Sequence, residues 1–375
     1  MGRPALIVSQ SGQLTSGLVT LVDAQEYAPV STLVTDRPES GQHYLSPETI
    51  EEIAQHTDRL DAEPLIVVDG MPHPGQLVDL RTRLQSGAVV DKRWVVWDRL
   101  AEDNPVAATR KLLQEARLEH RQAANTQRAA ATDGPTGRSG RVADSNERLQ
   151  TLRDRVEQQQ ETARQRVRTS HTTADVRVVL VGRVGAPTTT LWSELTGEMA
   201  TAEAGLPAQP RTAQATVAPH TVALTDTPGV PSTDGIPQWM AEALPGVITA
   251  LSQSTCVLGV GDNHEVLLPA IADRFDIPCR SVAEADAEAA WATLDTLLPS
   301  VMGAVRLPYG DDSQAVVSEL YDRTVVHHTE YNDAIHVRFE AAQSAIDKLR
   351  RRVTAADGKL KRLDADEDSS EDFQG

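Results

Sequence analysis

Cysteine, aromatic residues and lysine are all scarce in this sequence of 375 residues. The two cysteines, Cys256 and Cys279, are too few for a disulfide framework or an all-cysteine zinc site, so we expect two free thiols. No apolar run approaches the roughly 20 residues that a membrane helix requires. The first residues lack both a secretory signal pattern and the serine or threonine of a myristoylation signal. We therefore expect a water-soluble, cytoplasmic protein without a membrane partner.

Positive charge is also in short supply. The chain has 54 Asp and Glu residues against 36 Lys and Arg residues, which gives a formal net charge of −18. A large net charge keeps a protein soluble in concentrated salt, where a short Debye length weakens self-repulsion, so the composition favours a halophile. The same screening removes most long-range repulsion from nucleic acid. Acidity alone therefore does not exclude an RNA partner.

The first half of the chain divides into two parts. Residues 1–103 alternate helical patterns with four apolar runs, at 5–8, 30–34, 64–69 and 94–97, which we interpret as buried strands of a small α/β domain. Residues 104–174 lose the strand signal and carry apolar residues at helical spacing on both sides of a glycine-rich break. This pattern predicts a helical hairpin with a glycine-rich tip.

The second half begins with another α/β pattern. A strand with near-continuous β-branched residues at 176–181 opens a domain over 175–302, as expected for a parallel sheet covered on both faces. A small α+β module is predicted over 303–363, and the acidic tail 364–375 is predicted to be disordered. The fold class is therefore a multidomain α/β protein.

The loop after that strand has the position of a phosphate-binding loop but lacks its strongest parts. In the pattern G-x-x-x-x-G-K-[ST], backbone N–H groups cradle phosphates, the lysine reaches the β/γ oxygens and the hydroxyl binds Mg²⁺. Gly182 and Thr189 match this pattern. Pro187 replaces the second glycine and has no N–H group, and Thr188 replaces the lysine and carries no charge. Two essential contacts to phosphate are therefore missing.

Each remaining residue of this loop has two interpretations. Gly182 and Gly185 either retain some phosphate binding or form a turn kept for packing. Thr188, Thr189 and Thr190 either ligate Mg²⁺ or cap the following helix.

A second element of a nucleotide site follows downstream. Residues 223–229 read as a strand ending in D-x-x-G, where Asp226 would hold the Mg²⁺ shell and the Gly229 N–H group would meet the γ-phosphate. Asp-Thr-Pro-Gly is also a turn sequence, so a purely structural role stays open. The guanine-reading pattern N-K-x-D does not occur between 229 and 300. The strand that would carry it is predicted to be deleted.

Taken in order, several segments make the chain resemble the HflX family of ribosome-associated P-loop GTPases over nearly its whole length. The similar segments are P-G-Q-L-V-D-L at 74–80, V-V-D-K at 89–92, the hairpin with N-E-R at 146–148 opening its second helix, D-T-P-G at 226–229, I-P-Q-W-M at 236–240, L-P-Y-G at 307–310 and E-Y at 330–331.

The resemblance implies an N-terminal domain, a hairpin linker, a P-loop G domain and a small C-terminal module. It also implies GTP and Mg²⁺ as ligands and the ribosome or ribosomal RNA, rather than DNA, as partner. The family's switch threonine has no counterpart near 206–210. We therefore expect a regulator with weak or no GTP binding and hydrolysis. If nucleotide binding is retained, its residues are Gly182, Gly185, Thr188, Thr189, Thr190, Asp226 and Gly229, with Thr189 and Asp226 on Mg²⁺.

Arginines at and after the hairpin tip suggest an RNA contact. Arg138, Arg141 and Arg148 would present guanidinium groups to phosphate, although a solvated helix face explains them equally simply. Two alternatives to the regulator hypothesis stay open. One is an active GTPase that uses Thr189 and Asp226 at an unusual loop, and the other is a protein adaptor that binds through the hairpin.

Overall fold

The computed structural model describes residues 2–15, 17–25, 27–131, 139–170, 174, 176–200, 209–217, 220–231, 235–262, 265–283, 285–298, 300–343 and 345–363. The acidic tail predicted to be disordered lies outside these residues. Within them, none of the helices combines the length and the apolar character needed to span a bilayer. The described residues form three β-sheets, one in each predicted α/β or α+β unit.

The N-terminal domain is a parallel α/β sheet. Its elements are β1 (Arg3–Ser9), α1 (Leu18–Asp23), β2 (Tyr27–Val34), α2 (Pro47–Thr57), β3 (Leu65–Val68), α3 (Pro74–Leu84), β4 (Val89–Asp91) and α4 (Lys92–Leu100). The strand order is β2-β1-β3-β4, with all neighbours parallel. The first three predicted strands are confirmed, because they fall within β1, β2 and β3 or overlap them.

The predicted fourth strand is wrong. Residues 94–97 lie in α4, and the strand is the shorter β4 directly before them. The Asp91 carboxylate accepts a hydrogen bond from the Trp94 N–H group at 3.0 Å and so caps α4 at its N-terminus. Val95, Val96 and Trp97 are all buried. A short run that is apolar throughout does not distinguish a buried helix turn from a strand, and the cap decides between them here.

The predicted hairpin is formed by α5 (Pro105–Ala131) and α6 (Ser139–Ser170). Asn104 caps α5 by accepting from the N–H groups of Val106 at 2.9 Å and Ala107 at 3.1 Å. The prediction that 146–148 opens the second helix is wrong, because α6 begins seven residues earlier at Ser139. Gly140 is tolerated there because the first turn makes few intrahelical hydrogen bonds in any case.

The base of the hairpin joins the two α/β domains. The Arg110 guanidinium of α5 forms an ion pair of 2.6 Å with the Glu242 carboxylate of the second domain, and Gln160 of α6 donates to the Glu242 carbonyl at 2.6 Å. A shared core of Leu113, Ala116, Leu149, Leu152 and Val156 holds the two helices together.

The second α/β domain contains β5 (Val176–Val181), α7 (Thr188–Thr196), β6 (Arg211–Val217), β7 (His220–Asp226), α8 (Gln238–Ala243), α9 (Pro245–Ser252), β8 (Cys256–Val260), α10 (Leu267–Phe275), β9 (Cys279–Val282) and α11 (Ala287–Leu297). The strand order is β6-β7-β5-β8-β9, and only β6 runs antiparallel to its neighbour. The central β5 is almost entirely buried, as its β-branched sequence predicts.

One apolar core connects the two α/β domains. Trp97 and Leu100 of α4 belong to the same buried cluster as Trp239 and Met240 of α8 and Val181 of β5. The opposite face of the second sheet has its own core, which includes Leu191, Trp192 and Leu294. Both faces of this sheet are therefore covered. Cys256 and Cys279 are free thiols on neighbouring strands, and burial raises their pKa values to about 12 and about 11.

The C-terminal module begins with β10 at Ser300, slightly before position 303. It contains β10 (Ser300–Leu307), α12 (Asp311–Arg323), β11 (Val325–Tyr331), β12 (Ile335–Ala342), α13 (Ile346–Ala355) and β13 (Lys359–Arg362). The antiparallel order β11-β12-β10-β13 with the element sequence βαββαβ is the ferredoxin-like arrangement. Its buried cluster is drawn from its own residues, so the module has its own hydrophobic core.

Candidate functional site: a closed loop at the sheet edge

The degenerate loop, Gly182–Pro187, connects β5 to α7 at the carboxyl edge of the second sheet. Gly182 is tightly enclosed, since a Cβ atom there would lie 2.5 Å from the Ala186 Cβ and 3.1 Å from the Val260 carbonyl oxygen. Gly185 has φ +89°, a left-handed conformation that favours glycine. Both glycines therefore have a conformational or packing reason to be present.

The backbone N–H groups of this loop point to the loop's own carbonyls. The Ala186 N–H donates to the Arg183 carbonyl, and the Thr188 N–H donates to the Ala186 carbonyl, both at 2.9 Å. Pro187 between them has no N–H group. In a phosphate cradle these groups would instead donate to an anion. At these three consecutive positions, the N–H group is therefore either hydrogen-bonded within the loop or absent.

Apolar side chains occupy the crevice beside the loop. The sheet order reverses between β5 and β8, and ligands of open α/β sheets bind in the crevice at such a switch point. A Cβ atom on Gly261, directly after β8, would lie 3.5 Å from the Ala186 Cβ and 3.7 Å from the Pro187 Cδ. Ala186 and Pro187 therefore lie next to the residue that follows β8 at this switch point.

The D-x-x-G segment is joined to the loop from the other side. The Val230 N–H donates to the Gly182 carbonyl at 2.9 Å, and Arg183 and Val230 form a parallel bridge. A Cβ atom on Gly229 would lie 2.8 Å from the Val184 Cα. The structure therefore brings Gly229 against the loop backbone, and a γ-phosphate between the two would require them to separate.

Thr189 and Asp226, which the sequence analysis assigned to Mg²⁺, lie in direct contact. The Thr189 Oγ1 atom donates to Asp226 Oδ2 at 2.6 Å, and both residues are buried. Burial raises the pKa of the Asp226 carboxyl above its ordinary value, and the hydrogen bond from Thr189 offsets part of that rise. Thr188 is buried, whereas Thr190 is exposed on α7. The threonine run is not a side-chain cap, because α7 begins without a side-chain hydrogen bond at its N-cap, Pro187.

The same pair fits one part of a Mg²⁺ site. Asp226 Oδ1 and Thr188 Oγ1 are buried without a hydrogen-bond partner, and oxygen atoms are the ligands that Mg²⁺ prefers. With a single carboxylate, the protein would supply only part of the coordination shell, and phosphate oxygens and water would supply the rest. Among the described residues, no group of three or more His, Cys, Asp or Glu side chains is placed to hold a metal.

The three predicted RNA-contacting arginines have different positions. Arg138 lies outside the described residues, and Arg141 lies in the first turn of α6. Arg148 is half exposed and forms an ion pair of 2.6 Å with Glu119 of α5. This ion pair crosses between the two helices of the hairpin.

Sequence reasoning missed a second group of polar residues between the two α/β domains. Thr15, Asp69 and Lys92 lie at the carboxyl edge of the N-terminal sheet and line a cavity of about 670 Å³ together with Arg183 of the degenerate loop. The available signal was Asp69, which comes directly after the buried strand β3. In α/β proteins, ligand contacts are made by residues at the carboxyl ends of parallel strands, and Asp69 occupies such a place.

Comparison with known proteins finds similarity at the level of solved structures only. No family model and no curated protein matches the chain. A structure of SsGBP in complex with GDP is 15% identical with a TM-score of 0.42, covering 79% of this chain and 98% of that one. A GTP-binding protein from the archaeon Sulfolobus solfataricus, also with GDP, is 17% identical with a TM-score of 0.39, covering 75% and 81%.

A more distant match is NFeoB from S. thermophilus, in a variant bound to GDP and AlF4⁻. It is 14% identical with a TM-score of 0.22 and covers 39% of this chain and 71% of that one. With TM-scores below 0.5 and identities below 25%, none of these likenesses determines an activity for this chain.

Proposed function

We propose that this protein is an HflX-like regulator that associates with the ribosome or its RNA and whose G domain serves as a scaffold with little or no affinity for guanine nucleotide. The observation that carries the proposal is the closed loop, in which Ala186 and Thr188 use their N–H groups internally on either side of Pro187. An anion cannot be bound by donors that are already satisfied without breaking those hydrogen bonds.

Three further features support a scaffold role. The lysine of the phosphate loop is replaced by the buried Thr188, so no side-chain cation reaches the cradle from that position. The N-K-x-D sequence is absent from 229–300, and β9 pairs directly with β8, so no strand lies between them to carry it. The second sheet still packs on the N-terminal domain and on the hairpin through buried residues, which is the function that a scaffold retains.

Nucleotide binding tests this proposal directly. Isothermal titration of the full chain with GTP, GDP and ATP, with Mg²⁺ and in molar KCl to suit the acidic composition, should show no saturable heat. A dissociation constant in the micromolar range for GTP or GDP would contradict the scaffold role. Thermal unfolding with and without each nucleotide provides an independent check, because a ligand of the native state raises the melting temperature.

The partner requires a separate test. Co-sedimentation with ribosomes should fall when Arg138 and Arg141 are both replaced by Gln, because guanidinium contacts to phosphate would be lost. The matched control replaces Arg164 and Arg168, which pair with Glu161 further along α6, by Gln. Equal loss in both double variants would indicate a general charge effect and would contradict a contact at the tip.

A second candidate, an Mg²⁺-dependent GTPase, is favoured by one observation. Asp226 Oδ1 is buried without a partner beside the Thr189 hydroxyl, so these two residues would hold Mg²⁺ if nucleotide entered. Magnesium would neutralise phosphate charge, and the Gly229 N–H group would meet the γ-phosphate. GTP turnover that disappears in Asp226→Ala, with GTP binding measured in parallel, would favour this candidate over the scaffold.

A further inference from the structure

The interdomain cavity lies where an open α/β sheet places its ligands. In the N-terminal sheet the chain passes from β1 to β2 on one side and then to β3 on the other, so the order reverses between β1 and β3. Thr15 follows β1 and Asp69 follows β3, and both line the cavity. The volume of about 670 Å³ is within the range of small-molecule sites.

A network of hydrogen bonds among Thr15, Asp69 and Lys92 fixes the N-terminal side of the cavity. The Asp69 carboxylate accepts from the Thr15 N–H at 2.5 Å and from the Thr15 hydroxyl at 2.6 Å, and the Lys92 ammonium lies 3.1 Å from it. Lys92 also donates to the Thr15 hydroxyl at 3.0 Å. An ammonium group has three N–H donors, so one of them remains to bind a ligand. The Lys92 side chain is about one-fifth exposed, which leaves it accessible from the cavity.

Arg183 contributes an uncompensated positive charge from the opposite side. Its Nε atom is buried without a hydrogen-bond partner, and in the part of the chain that the structure describes it forms no ion pair. The other charged residues of the lining have partners. Arg93 bonds to the buried Asp91 carboxylate, and Glu242 bonds to Arg110. Lys92 is itself paired with Asp69, so among the described lining residues the positive charge left without a carboxylate is that of Arg183, and Lys92 adds an N–H donor to the same cavity.

Contacts between the domains hold Arg183 at this place. The next residue, Val184, is enclosed by glycines from two elements, because Cβ atoms on Gly17 and Gly229 would lie 2.6 Å and 2.8 Å from its atoms. Gly17, with φ +74°, lies at the start of α1 in the N-terminal domain. The site is thus complete only when the two domains are packed together.

We propose that this cavity binds a small phosphate-bearing ligand, held by the Arg183 guanidinium and by the remaining N–H donor of the Lys92 ammonium. A guanidinium fork matches the geometry of phosphate oxygens, and a partly buried position strengthens each charge-assisted hydrogen bond. This site does not depend on the backbone donors of the closed loop, because its lining includes Arg183 but none of residues 184–189.

Titration with inorganic phosphate at constant ionic strength tests the site in the full chain, by calorimetry and by the shift of the unfolding temperature. Wild type should bind phosphate saturably, Arg183→Gln should bind about tenfold more weakly or not at all, and Arg183→Lys should retain part of the affinity. Arg177→Gln is the matched control. Arg177 also has a buried Nε atom without a partner, but it lies at the opposite end of β5, about 20 Å away.

Asp226→Asn separates this site from the nucleotide site. Phosphate affinity that is unchanged in Asp226→Asn and lost in Arg183→Gln supports the interdomain site. Absence of saturable phosphate binding to the wild type, equal binding by wild type and Arg183→Gln, or loss of binding in Asp226→Asn alone would each overturn it. A normal unfolding temperature of Arg183→Gln without phosphate shows that the variant is folded.

Discussion

The loops that follow β1 and β5 occupy equivalent places in the two α/β sheets, but their hydrogen bonds and surroundings differ. In each sheet the loop follows a central buried strand and leads into a helix. After β1, Ser11, Gln13, Leu14 and Thr15 line the cavity between the two domains. After β5, the Gly182–Pro187 loop closes on itself, and its Ala186 and Pro187 side chains lie against Gly261 in the crevice between β5 and β8.

The difference shows that the position of a loop in the sheet is not sufficient to make a binding site. A switch point supplies a crevice, but a ligand also needs donors that are not already satisfied by the loop itself. In the β5 loop two N–H groups bond internally and a third is missing at Pro187. In the N-terminal cavity, Asp69 accepts from the Thr15 N–H and hydroxyl, so the donors left for a ligand are those of Lys92 and Arg183 rather than those of the loop.

The largest expected effect comes from forcing the closed loop apart. Gly229→Ala would place a Cβ atom 2.8 Å from the Val184 Cα and 2.9 Å from the Arg183 carbonyl oxygen, both of which are backbone atoms. We expect the free energy of unfolding to fall by about 3 kcal/mol, the upper end for overpacked sites. Chemical denaturation measures this change. Gly87→Ala, where no atom lies within 4 Å, should change the stability by about 0.5 kcal/mol or less.

Adding an N–H donor and a cation to the β5 loop should give it free donors for a ligand, as in the N-terminal cavity. The double substitution Pro187→Gly and Thr188→Lys returns one N–H donor and one cation to the cradle. We expect the affinity for Mg²⁺-GTP to rise at least tenfold, about 1.4 kcal/mol, because each charged hydrogen bond contributes roughly that amount. Calorimetry checks this. Pro187→Gly alone should give a smaller gain, and an unchanged affinity in the double variant would show that the loop is closed for other reasons.

Asp226→Asn should remove a pH dependence of the protein's stability. Burial raises the pKa of Asp226, so the folded state binds its proton more tightly than the unfolded state does. In the wild type, protonated Asp226 therefore contributes most to the free energy of unfolding below the ordinary pKa of Asp. This contribution is lost as the pH rises through the raised pKa. We expect Asp226→Asn to be more stable than wild type at pH 7 by about 1 kcal/mol and to lose this advantage near pH 4. Urea unfolding at both pH values measures the difference.

The smallest effect is expected in the hairpin, away from both loops. Arg148 and Glu119 form an ion pair in which both side chains are more than half exposed. Such pairs contribute little to stability because water and salt screen them. Arg148→Gln should therefore change the free energy of unfolding by less than about 0.5 kcal/mol. A loss of several kcal/mol in thermal or chemical unfolding would mean that this pair holds the hairpin together.

Much of the architecture was predictable from residue patterns. The buried strands, the Ser46 cap of α2, at 3.2 Å from the Thr49 N–H, and the two long hairpin helices all follow from local sequence. The helical conformation of residues 94–97 was not predictable, because four consecutive apolar residues fit a buried helix turn as well as a strand. Helix α12 and strand β13 of the ferredoxin-like module also went unpredicted, since β13 (Lys359–Arg362) is polar and exposed on an edge.

Residue identities alone establish that position 188 carries no lysine and that position 187 has no N–H group. How the remaining N–H groups of the loop are used follows from the folded structure. These N–H groups donate within the loop, and Val184 packs between the two domains. Arg183 lines the same cavity as Lys92 and Asp69, although these residues are at least 23 positions apart in the sequence. The orientation of a backbone donor and the juxtaposition of distant charges depend on packing between elements, which no local pattern encodes.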